Sequence, residues 1–381
     1  MKQIRRMNFQ ITAVALLAIL FLNPQAQALE TTAREAYMID YDTGTILLDK
    51  NGNESMPPAS MSKIMTAFMV FEHIQDGRLS LDDLFPVSEK AWRKGGSRMF
   101  VEVGDEVRVE DLLRGVIIQS GNDACIVLAE GLAGTEEAFA NAMTQRAAEI
   151  GMTGSTFANA TGWPHPNHRM TAHDLAILAR KIISDFPEFY HYYSETEFTW
   201  NDIRQGNRNP LLYRSVGADG LKTGHTSEAG YGLTASAEQN GRRLILVVNG
   251  LKSIKARADE SARLLSWGFR EFNNYALFKA GAEVELAPVW LGDKKTVPLV
   301  IEEDLTVTLR RAARQDLKVS VNYESPIPVP IQKGQQLATL MVSAPEFDTL
   351  EVPLYAGDDV GQLDPFGRIV ASVKFLVFGG P

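Results

Sequence analysis

Cysteine is almost absent from this chain of 381 residues, since Cys125 is the only one. No intramolecular disulfide is therefore possible. The neighbours of Cys125 are Ala124, Ile126 and Val127, and no histidine lies close to it in the sequence. That setting predicts a buried structural thiol, because a nucleophilic cysteine needs nearby groups that stabilise its thiolate.

Long hydrophobic runs are also missing, with one exception near the N-terminus. Lys2, Arg5 and Arg6 precede an apolar run over residues 11–22, and the small-residue pattern Ala-Gln-Ala follows at residues 26–28. The run is shorter than the stretch of about 20 residues that crosses a bilayer, so a secretory signal peptide over residues 1–28 is favoured over a membrane anchor. Its removal would take away three positive charges and move the net charge from −9 to −12, which gives no reason to expect a nucleic-acid partner.

Acidic residues are missing from residues 154–173, although this stretch contains His165, His168 and His173. His165 and His168 could be taken for a pair of metal ligands. A hydrolytic zinc site would also need a cysteine or carboxylate from this stretch, and none is there. We therefore expect no metal ion and no organic cofactor.

Three short motifs stand out among the residues that are present: Ser60-Met61-Ser62-Lys63, Ser120-Gly121-Asn122 and Lys222-Thr223-Gly224. Two prolines end whatever precedes the first motif, and apolar residues then follow at the spacing of a buried helix, namely Met61, Ile64, Met65, Phe68 and Met69. Ser60 is therefore predicted at a helix N-terminus.

A serine at that position could simply be a helix cap. Lys63, however, follows three residues later on the same helical face, where it can take the hydroxyl proton of Ser60. The helix dipole, and Lys222 if it lies nearby, would lower the pKa of Lys63. The pattern thus predicts a serine nucleophile with a neutral lysine as its general base.

The other two motifs have ordinary structural explanations when each is taken alone. Lys222 could be an edge-strand lysine that discourages aggregation, and the Ser120 motif could be a turn before a helix. The order of all three motifs is more specific, because class A β-lactamases and penicillin-binding proteins carry S-x-x-K, S-D-N and K-T-G in this order. Gly121 stands where those proteins have aspartate.

Longer stretches around these motifs resemble one family in particular. Residues 120–125 (SGNDAC), 207–209 (NRN) and 219–226 (DGLKTGHT) are similar to the low-molecular-mass penicillin-binding proteins of the 5/6 type, which are serine peptidases with D-alanyl-D-alanine carboxypeptidase activity. The resemblance extends from about Ala33 to the C-terminus. It implies that Ser60 attacks the carbonyl between two D-alanines while Lys63 takes its proton.

The resemblance also implies roles for residues of the second and third motifs. Ser120 would help to pass a proton to the leaving amine, and Asn122 would hydrogen-bond Lys63 and the substrate amide. The terminal carboxylate would meet Lys222 and Thr223, with Arg208 beside them, although one residue is missing between Arg208 and K-T-G relative to the family. Backbone N–H groups of Ser60 and His225 would form the oxyanion hole, and Gly224 would let the substrate backbone approach an edge strand.

Strand patterns early and late in the chain, with helical patterns between them, predict an α+β fold with one mainly antiparallel sheet sandwiched by helices. The resemblance implies the same β-lactamase/transpeptidase-like fold for a catalytic domain over residues 29–275. Alternating apolar residues after about Leu277 predict a small all-β domain over residues 276–363. Its role would be that of a spacer or a partner-binding module.

The tail, residues 364–381, has apolar residues at helical spacing: Phe366, Ile369, Val370, Val373, Leu376 and Val377. It is too short to span a bilayer, so we expect an amphipathic helix at a membrane surface, with a helix docked on the β domain as the alternative. The similar tail of the family anchors the enzyme. The expected location is therefore the periplasm, on the outer face of the cytoplasmic membrane.

Together these features predict a carboxypeptidase that removes the terminal D-alanine from peptidoglycan pentapeptides and that β-lactams such as penicillin inhibit covalently. A D,D-endopeptidase or a weak β-lactamase could use the same residues. A non-catalytic wall-binding protein would more naturally have lost Ser60 or a lysine. Class A β-lactamases use a glutamate of their Ω-loop for deacylation, and residues 154–173 offer no acid, so penicillin should leave slowly.

Overall fold

A computed structural model describes residues 29–378 of the chain. The predicted signal peptide, residues 1–28, and the last three residues of the tail lie outside the described residues. Between residues 31 and 378 the chain belongs to one compact unit. The α+β prediction is confirmed, with the helices and strands placed as follows.

The helices within the described residues are α1 (Lys63–Gln75), α2 (Glu89–Arg93), α3 (Val109–Ile117), α4 (Asn122–Ala133), α5 (Glu136–Glu149), α6 (Ala172–Asp185), α7 (Ile254–Glu271) and α8 (Pro365–Phe378). Several begin at a side chain that accepts a hydrogen bond from the first turn, as Ser88, Thr135, Thr171 and Ser253 do for α2, α5, α6 and α7. Such N-caps explain why these helices start where they do.

The strands of the first part of the chain are β1 (Glu35–Asp40), β2 (Ile46–Lys50), β3 (Leu84–Pro86), β4 (Glu106–Arg108), β5 (Glu197–Trp200), β6 (Ile203–Gly206), β7 (Ala218–Thr226), β8 (Gly230–Gln239) and β9 (Arg242–Leu251). Five of them form one antiparallel sheet in the order β2-β1-β9-β8-β7. The strand with the K-T-G motif, β7, is therefore an edge strand.

Helices cover both faces of this sheet because the central strands alternate between two hydrophobic clusters. Ile245 and Val247 of β9 belong to the large core with α1 and α3 to α6. Leu244 of the same strand points the other way, and a Cβ built on Gly268 of α7 would lie 2.8 Å from its Cδ1 atom. The predicted sandwich of helix, sheet and helix follows from this alternation.

The second part of the chain contains β10 (Phe272–Phe278), β11 (Glu283–Trp290), β12 (Thr296–Val300), β13 (Leu305–Arg310), β14 (Lys318–Asn322), β15 (Ile327–Pro328), β16 (Gln336–Ala344) and β17 (Phe347–Ala356). Six strands form a sheet in the order β14-β16-β17-β12-β11-β15, while β10 pairs with β13. A separate hydrophobic cluster fills this part. The domain boundary at residues 275 and 276 stays a prediction, and β10 lies across it.

Helix α8 exposes its apolar side chains to solvent. Phe366 is 76% exposed, Val373 53% and Leu376 83%. The alternative prediction, a helix docked on the β domain by this face, is therefore wrong. None of the helices between residues 29 and 378 has both the length and the apolar character needed to cross a membrane.

Candidate active site

Ser60 lies in a 3-10 turn, Ala59–Ser62, that leads directly into α1. Lys63 is the first residue of α1, and its side chain returns to the turn, where Nζ lies 2.9 Å from Oγ of Ser60. The predicted helix N-terminus is thus confirmed, in the form of a tight turn that continues as a helix. A spacing of three residues brings the hydroxyl and the amine within hydrogen-bonding distance.

The amine of Lys63 is buried and donates to two further oxygen atoms. Its Nζ lies 2.8 Å from Oδ1 of Asn122 and 2.6 Å from the carbonyl oxygen of Thr161. Burial, assisted by the charges of Arg208 and Lys94, lowers the pKa of Lys63 to about 8. The motifs predicted this lowering through the helix dipole and Lys222, whereas loss of hydration is the larger cause.

Ser120 and Asn122 lie on the loop and first turn that begin α4. Ser120 is buried and has a positive φ of 61°, which is uncommon for a residue with a side chain. Its Oγ has no hydrogen-bond partner among the described residues. A strained backbone and an unsatisfied hydroxyl are features that proteins retain where function requires them.

Asp123 holds this loop in place, a function that the sequence analysis missed. Its carboxylate is fully buried and accepts hydrogen bonds from the backbone N–H groups of Met99 and Phe100, each at 2.8 Å. Asn122 adds to the same connection through the carbonyls of Gly95 and Ser97. Since Asp123 also lies in the first turn of α4, the helix dipole favours its negative charge.

The K-T-G motif forms the other wall, on edge strand β7. Lys222 and Thr223 are buried there. A Cβ built on Gly224 would lie 2.7 Å from the carbonyl oxygen of Pro58 and 3.3 Å from Cβ of Ala59. Gly224 therefore lets β7 pack directly on the turn that carries Ser60, whereas the sequence analysis had ascribed its small size to the substrate.

Lys63 and Lys222 are close enough to influence each other. Burial, followed by the charges of Lys63 and Arg208, holds the pKa of Lys222 well below its usual range. Cys125 lies behind the same residues and is buried, as predicted, and burial raises the pKa of its thiol to about 12. A thiol of that pKa is inert at neutral pH.

One cleft of about 550 Å³ is lined by six of the predicted site residues, while Lys63, Asn122 and Lys222 are not among the residues that line it. It is lined by Ser60, Ser97, Ser120, Arg208, Thr223, Gly224, His225, Tyr231, Ile254 and Arg257. Arg208 reaches it despite the missing residue in the sequence and hydrogen-bonds Oγ of Ser97. The ring of His225 stacks on Tyr231 with 3.9 Å between ring centroids.

Arg257 is a second residue of this cleft that the sequence analysis missed. It comes from α7 and is buried, and its Nε has no hydrogen-bond partner among the described residues. Burial, together with the charge of Arg208, lowers the pKa of Arg257 to about 10. The only sequence signal for Arg257 is its place two turns before the buried pair Leu264 and Leu265, which does not distinguish it from any helical arginine.

The cleft therefore combines a hydroxyl, an adjacent amine of lowered pKa and a wall rich in cations. Such a set can carry out nucleophilic attack by serine and can bind an anionic ligand. Across residues 29–378 no group of three or more histidine, cysteine, aspartate or glutamate side chains is arranged to hold a metal ion.

Comparison with known proteins gives consistent matches over most of the chain. A family profile described as D-alanyl-D-alanine carboxypeptidase matches residues 23–253, and one described as penicillin-binding protein 5, C-terminal domain, matches residues 272–362. D-alanyl-D-alanine carboxypeptidase DacC of Escherichia coli strain K12 is 40% identical over 92% of this chain and 92% of its own length.

Solved structures agree with the sequence matches. Penicillin-binding protein 5 of Haemophilus influenzae has a TM-score of 0.79 at 36% identity, covering 87% of this chain and 98% of that one. The D-alanyl-D-alanine carboxypeptidase DacD of Francisella tularensis has a TM-score of 0.79 at 33% identity, covering 88% and 95%. The similarity thus includes both the catalytic part and the β-rich part of the chain.

Proposed function

Because this chain belongs to the D-alanyl-D-alanine carboxypeptidase family of serine peptidases, we propose that it removes the terminal D-alanine from peptidoglycan pentapeptides through an acyl-enzyme on Ser60. The observation that supports this most directly is the 2.9 Å contact between Oγ of Ser60 and the buried amine of Lys63. The same residues would react with penicillin.

In the proposed acylation step, Oγ of Ser60 attacks the carbonyl carbon between the two D-alanines while neutral Lys63 takes the hydroxyl proton. Asn122 and the carbonyl of Thr161 hold the lysine amine in position. Backbone N–H groups of Ser60 and His225 stabilise the developing oxyanion. Ser120 lines the cleft, and its hydroxyl, which has no hydrogen-bond partner within residues 29–378, passes a proton to the leaving amine.

The cationic wall of the cleft would bind the carboxylate of the leaving D-alanine. Thr223, Arg208 and Arg257 line the cleft, and Lys222 lies next to Thr223 on β7. Arg257 favours this role because burying a guanidinium without an anionic partner is costly, and a bound carboxylate would relieve that cost. A free terminal carboxylate is what distinguishes a carboxypeptidase substrate from an internal peptide bond.

Penicillin should remain on Ser60 far longer than the natural acyl group. Within residues 154–173 the group nearest to Lys63 is a backbone carbonyl, that of Thr161, and the stretch contains no carboxylate to activate water. Gly162 packs closely on the turn that carries Ser60, since a Cβ built on Gly162 would lie 1.9 Å from the carbonyl oxygen of Ala59. A weak β-lactamase is therefore a secondary activity at most.

We further propose that the chain is exported by its N-terminal signal and attached by α8 to the outer face of the cytoplasmic membrane. The exposed apolar residues of α8, Phe366, Ile369, Val370, Val373, Leu376 and Val377, support this attachment. Their burial in the lipid interface would remove apolar surface from water, at roughly 25 cal/mol per Å². The helix would lie along the membrane surface.

The function is tested by measuring free D-alanine released from a pentapeptide that ends in D-Ala-D-Ala, with and without prior treatment with penicillin. We expect release that penicillin blocks, and neither release nor penicillin labelling for Ser60→Ala. Stable labelling without release would contradict the carboxypeptidase. Cleavage of a cross-linked dimer into two peptides, without release of D-alanine from the pentapeptide, would favour the D,D-endopeptidase.

The attachment is tested by sedimentation with vesicles of anionic phospholipid. The chain without residues 364–381, and the variant Val373→Asp, should stay in the supernatant. Ala371→Asp is the matched control, because it adds the same charge on the opposite side of α8 and should leave binding nearly unchanged. Equal binding of all these proteins would contradict attachment through α8.

A further inference from the structure

Lys94 and Trp163 form a pair near Asn122 to which the proposed function assigns no contact with the substrate. Nζ of Lys94 lies 4.6 Å from the centroid of the Trp163 ring, and this tryptophan is 45% exposed. A Cβ built on Gly96 would lie 3.0 Å from Cζ3 of Trp163 and 2.8 Å from Nδ2 of Asn122. The indole therefore packs across Gly96 next to Asn122 and keeps part of its surface open.

Both residues lie close in sequence to a backbone carbonyl that hydrogen-bonds Asn122 or Lys63. The carbonyl of Gly95, next to Lys94, accepts a 2.9 Å hydrogen bond from Asn122. The carbonyl of Thr161, two residues before Trp163, accepts one of 2.6 Å from Lys63. The charge of Lys94 also contributes to the lowered pKa of Lys63, so the two amines are within electrostatic reach.

The location of this pair indicates which part of a substrate it would meet. The wall formed by β7 and the two arginines is assigned above to the leaving D-alanine. Asn122 is assigned to the substrate amide. Trp163 packs across Gly96 next to Asn122, and Nζ of Lys94 lies over its ring, so we expect the pair to contact the peptide that precedes the scissile bond.

The chemistry of the pair is that of a site for an alkyl chain that ends in an anion. The exposed part of the indole can bury methylene groups, and the ammonium group over the ring attracts a carboxylate. Lys94 has no carboxylate partner of its own among residues 29–378. The same ammonium would repel a side chain that ends in an amine alone.

We propose that Trp163 and Lys94 bind the side chain of the substrate residue before D-Ala-D-Ala and select one that ends in a carboxylate. The proposal rests on the proposed function, since it names the acyl side of the same substrate. Meso-diaminopimelate and lysine provide the comparison, because their side chains differ only by that carboxylate.

The test uses the full chain and three otherwise identical peptides with meso-diaminopimelate, its side-chain amide or lysine before D-Ala-D-Ala. Two quantities are measured: release of D-alanine, and the slowing of Ser60 labelling by fluorescent penicillin as each peptide competes. We expect the meso-diaminopimelate peptide to be preferred by about fivefold, as is typical of a partly exposed charge pair.

Variants at both positions and a matched control complete the test. Lys94→Met should remove the preference for the carboxylate, and Lys94→Arg should keep most of it. Trp163→Leu should raise KM for all three peptides. Arg93→Met removes a neighbouring exposed charge, which pairs with Glu89, and should change neither the preference among the peptides nor KM.

Two results would overturn the proposal: equal treatment of all three peptides by the unaltered chain, or a preference that survives Lys94→Met unchanged. The competition measurement separates this proposal from the proposed function. If the peptides compete with the predicted preference but no D-alanine is released, the carboxypeptidase is wrong and the carboxylate-selective site still stands.

Discussion

Asn122→Asp should move the pH dependence of Ser60 acylation to higher pH. In the unaltered protein the pKa of Lys63 is lowered from 10.5 to about 8, which corresponds to roughly 3 kcal/mol against its protonated form. Neutral Lys63 is the proposed base, so the acylation rate should rise about tenfold per pH unit below pH 8 and level off above it. At pH 7 about a tenth of the protein would carry the neutral amine.

The substitution places a carboxylate where the amide oxygen now lies, 2.8 Å from Nζ of Lys63. An opposite charge at this distance raises the pKa of the amine by about one to three units. The rate at pH 7 should therefore fall by about 10- to 1000-fold, and it should return as the pH passes the raised pKa, between about pH 9 and pH 11. The measurement is the rate of covalent labelling by fluorescent penicillin between about pH 6 and pH 11.

Asn122→Ala is the matched control, because it also loses the hydrogen bond to the carbonyl of Gly95 but adds no charge. It should reduce the rate without moving the midpoint to higher pH. The reasoning would be refuted if Asn122→Asp lowered the rate by one constant factor at every pH while its midpoint stayed near pH 8.

Three further predictions concern the cleft and a buried ion pair of the fold. Gly224→Ala should destabilise the fold by about 1–3 kcal/mol in urea unfolding and slow acylation, because the added Cβ meets the carbonyl of Pro58 at 2.7 Å. Gly206→Ala, whose added Cβ has no contact under 3.6 Å, should not slow acylation. Arg257→Met should raise KM about tenfold for a peptide with a free terminal carboxylate but not for the same peptide with a terminal amide. An equal rise in KM for both peptides would contradict carboxylate binding. Arg242→Met should cost about 3–5 kcal/mol of unfolding free energy, since it leaves the buried carboxylate of Asp40 without the guanidinium now 2.8 Å away; a cost under about 1 kcal/mol would mean that the pair is dispensable.

The sequence was sufficient to predict those parts of the site that depend on local spacing. Ser60 and Lys63 meet because three residues make about one helical turn, and β8 and β9 lie where late strand patterns were expected. Arg208 was predicted only through the family resemblance. Arg257 and Asp123 could not be found from the sequence, since their positions depend on how α7 and α4 pack against distant segments.

The origin of the lowered Lys63 pKa was also beyond the sequence. Proximity to Lys222 and the helix dipole can be argued from motifs, but the extent of burial depends on how residues 95–97 and 161–163 close over the amine. The packing of Gly224 against Pro58 was beyond the sequence for a similar reason. Contacts between β7 and the turn at residues 58–61 appear only when the sheet is assembled.

The edge position of β7 has a consequence for the solubility of the protein. A terminal strand offers unpaired backbone groups to which another chain can add, and proteins usually protect such edges with charge. At one end of β7 the side chain of Asn209 occupies the carbonyl of Gly220. Further along, Arg208 is exposed in the cleft that Thr223 and Gly224 of this strand line, whereas Lys222 is buried. Variants that neutralise Arg208 would therefore be prone to aggregation, and a loss of activity in them should be interpreted only after aggregation has been excluded.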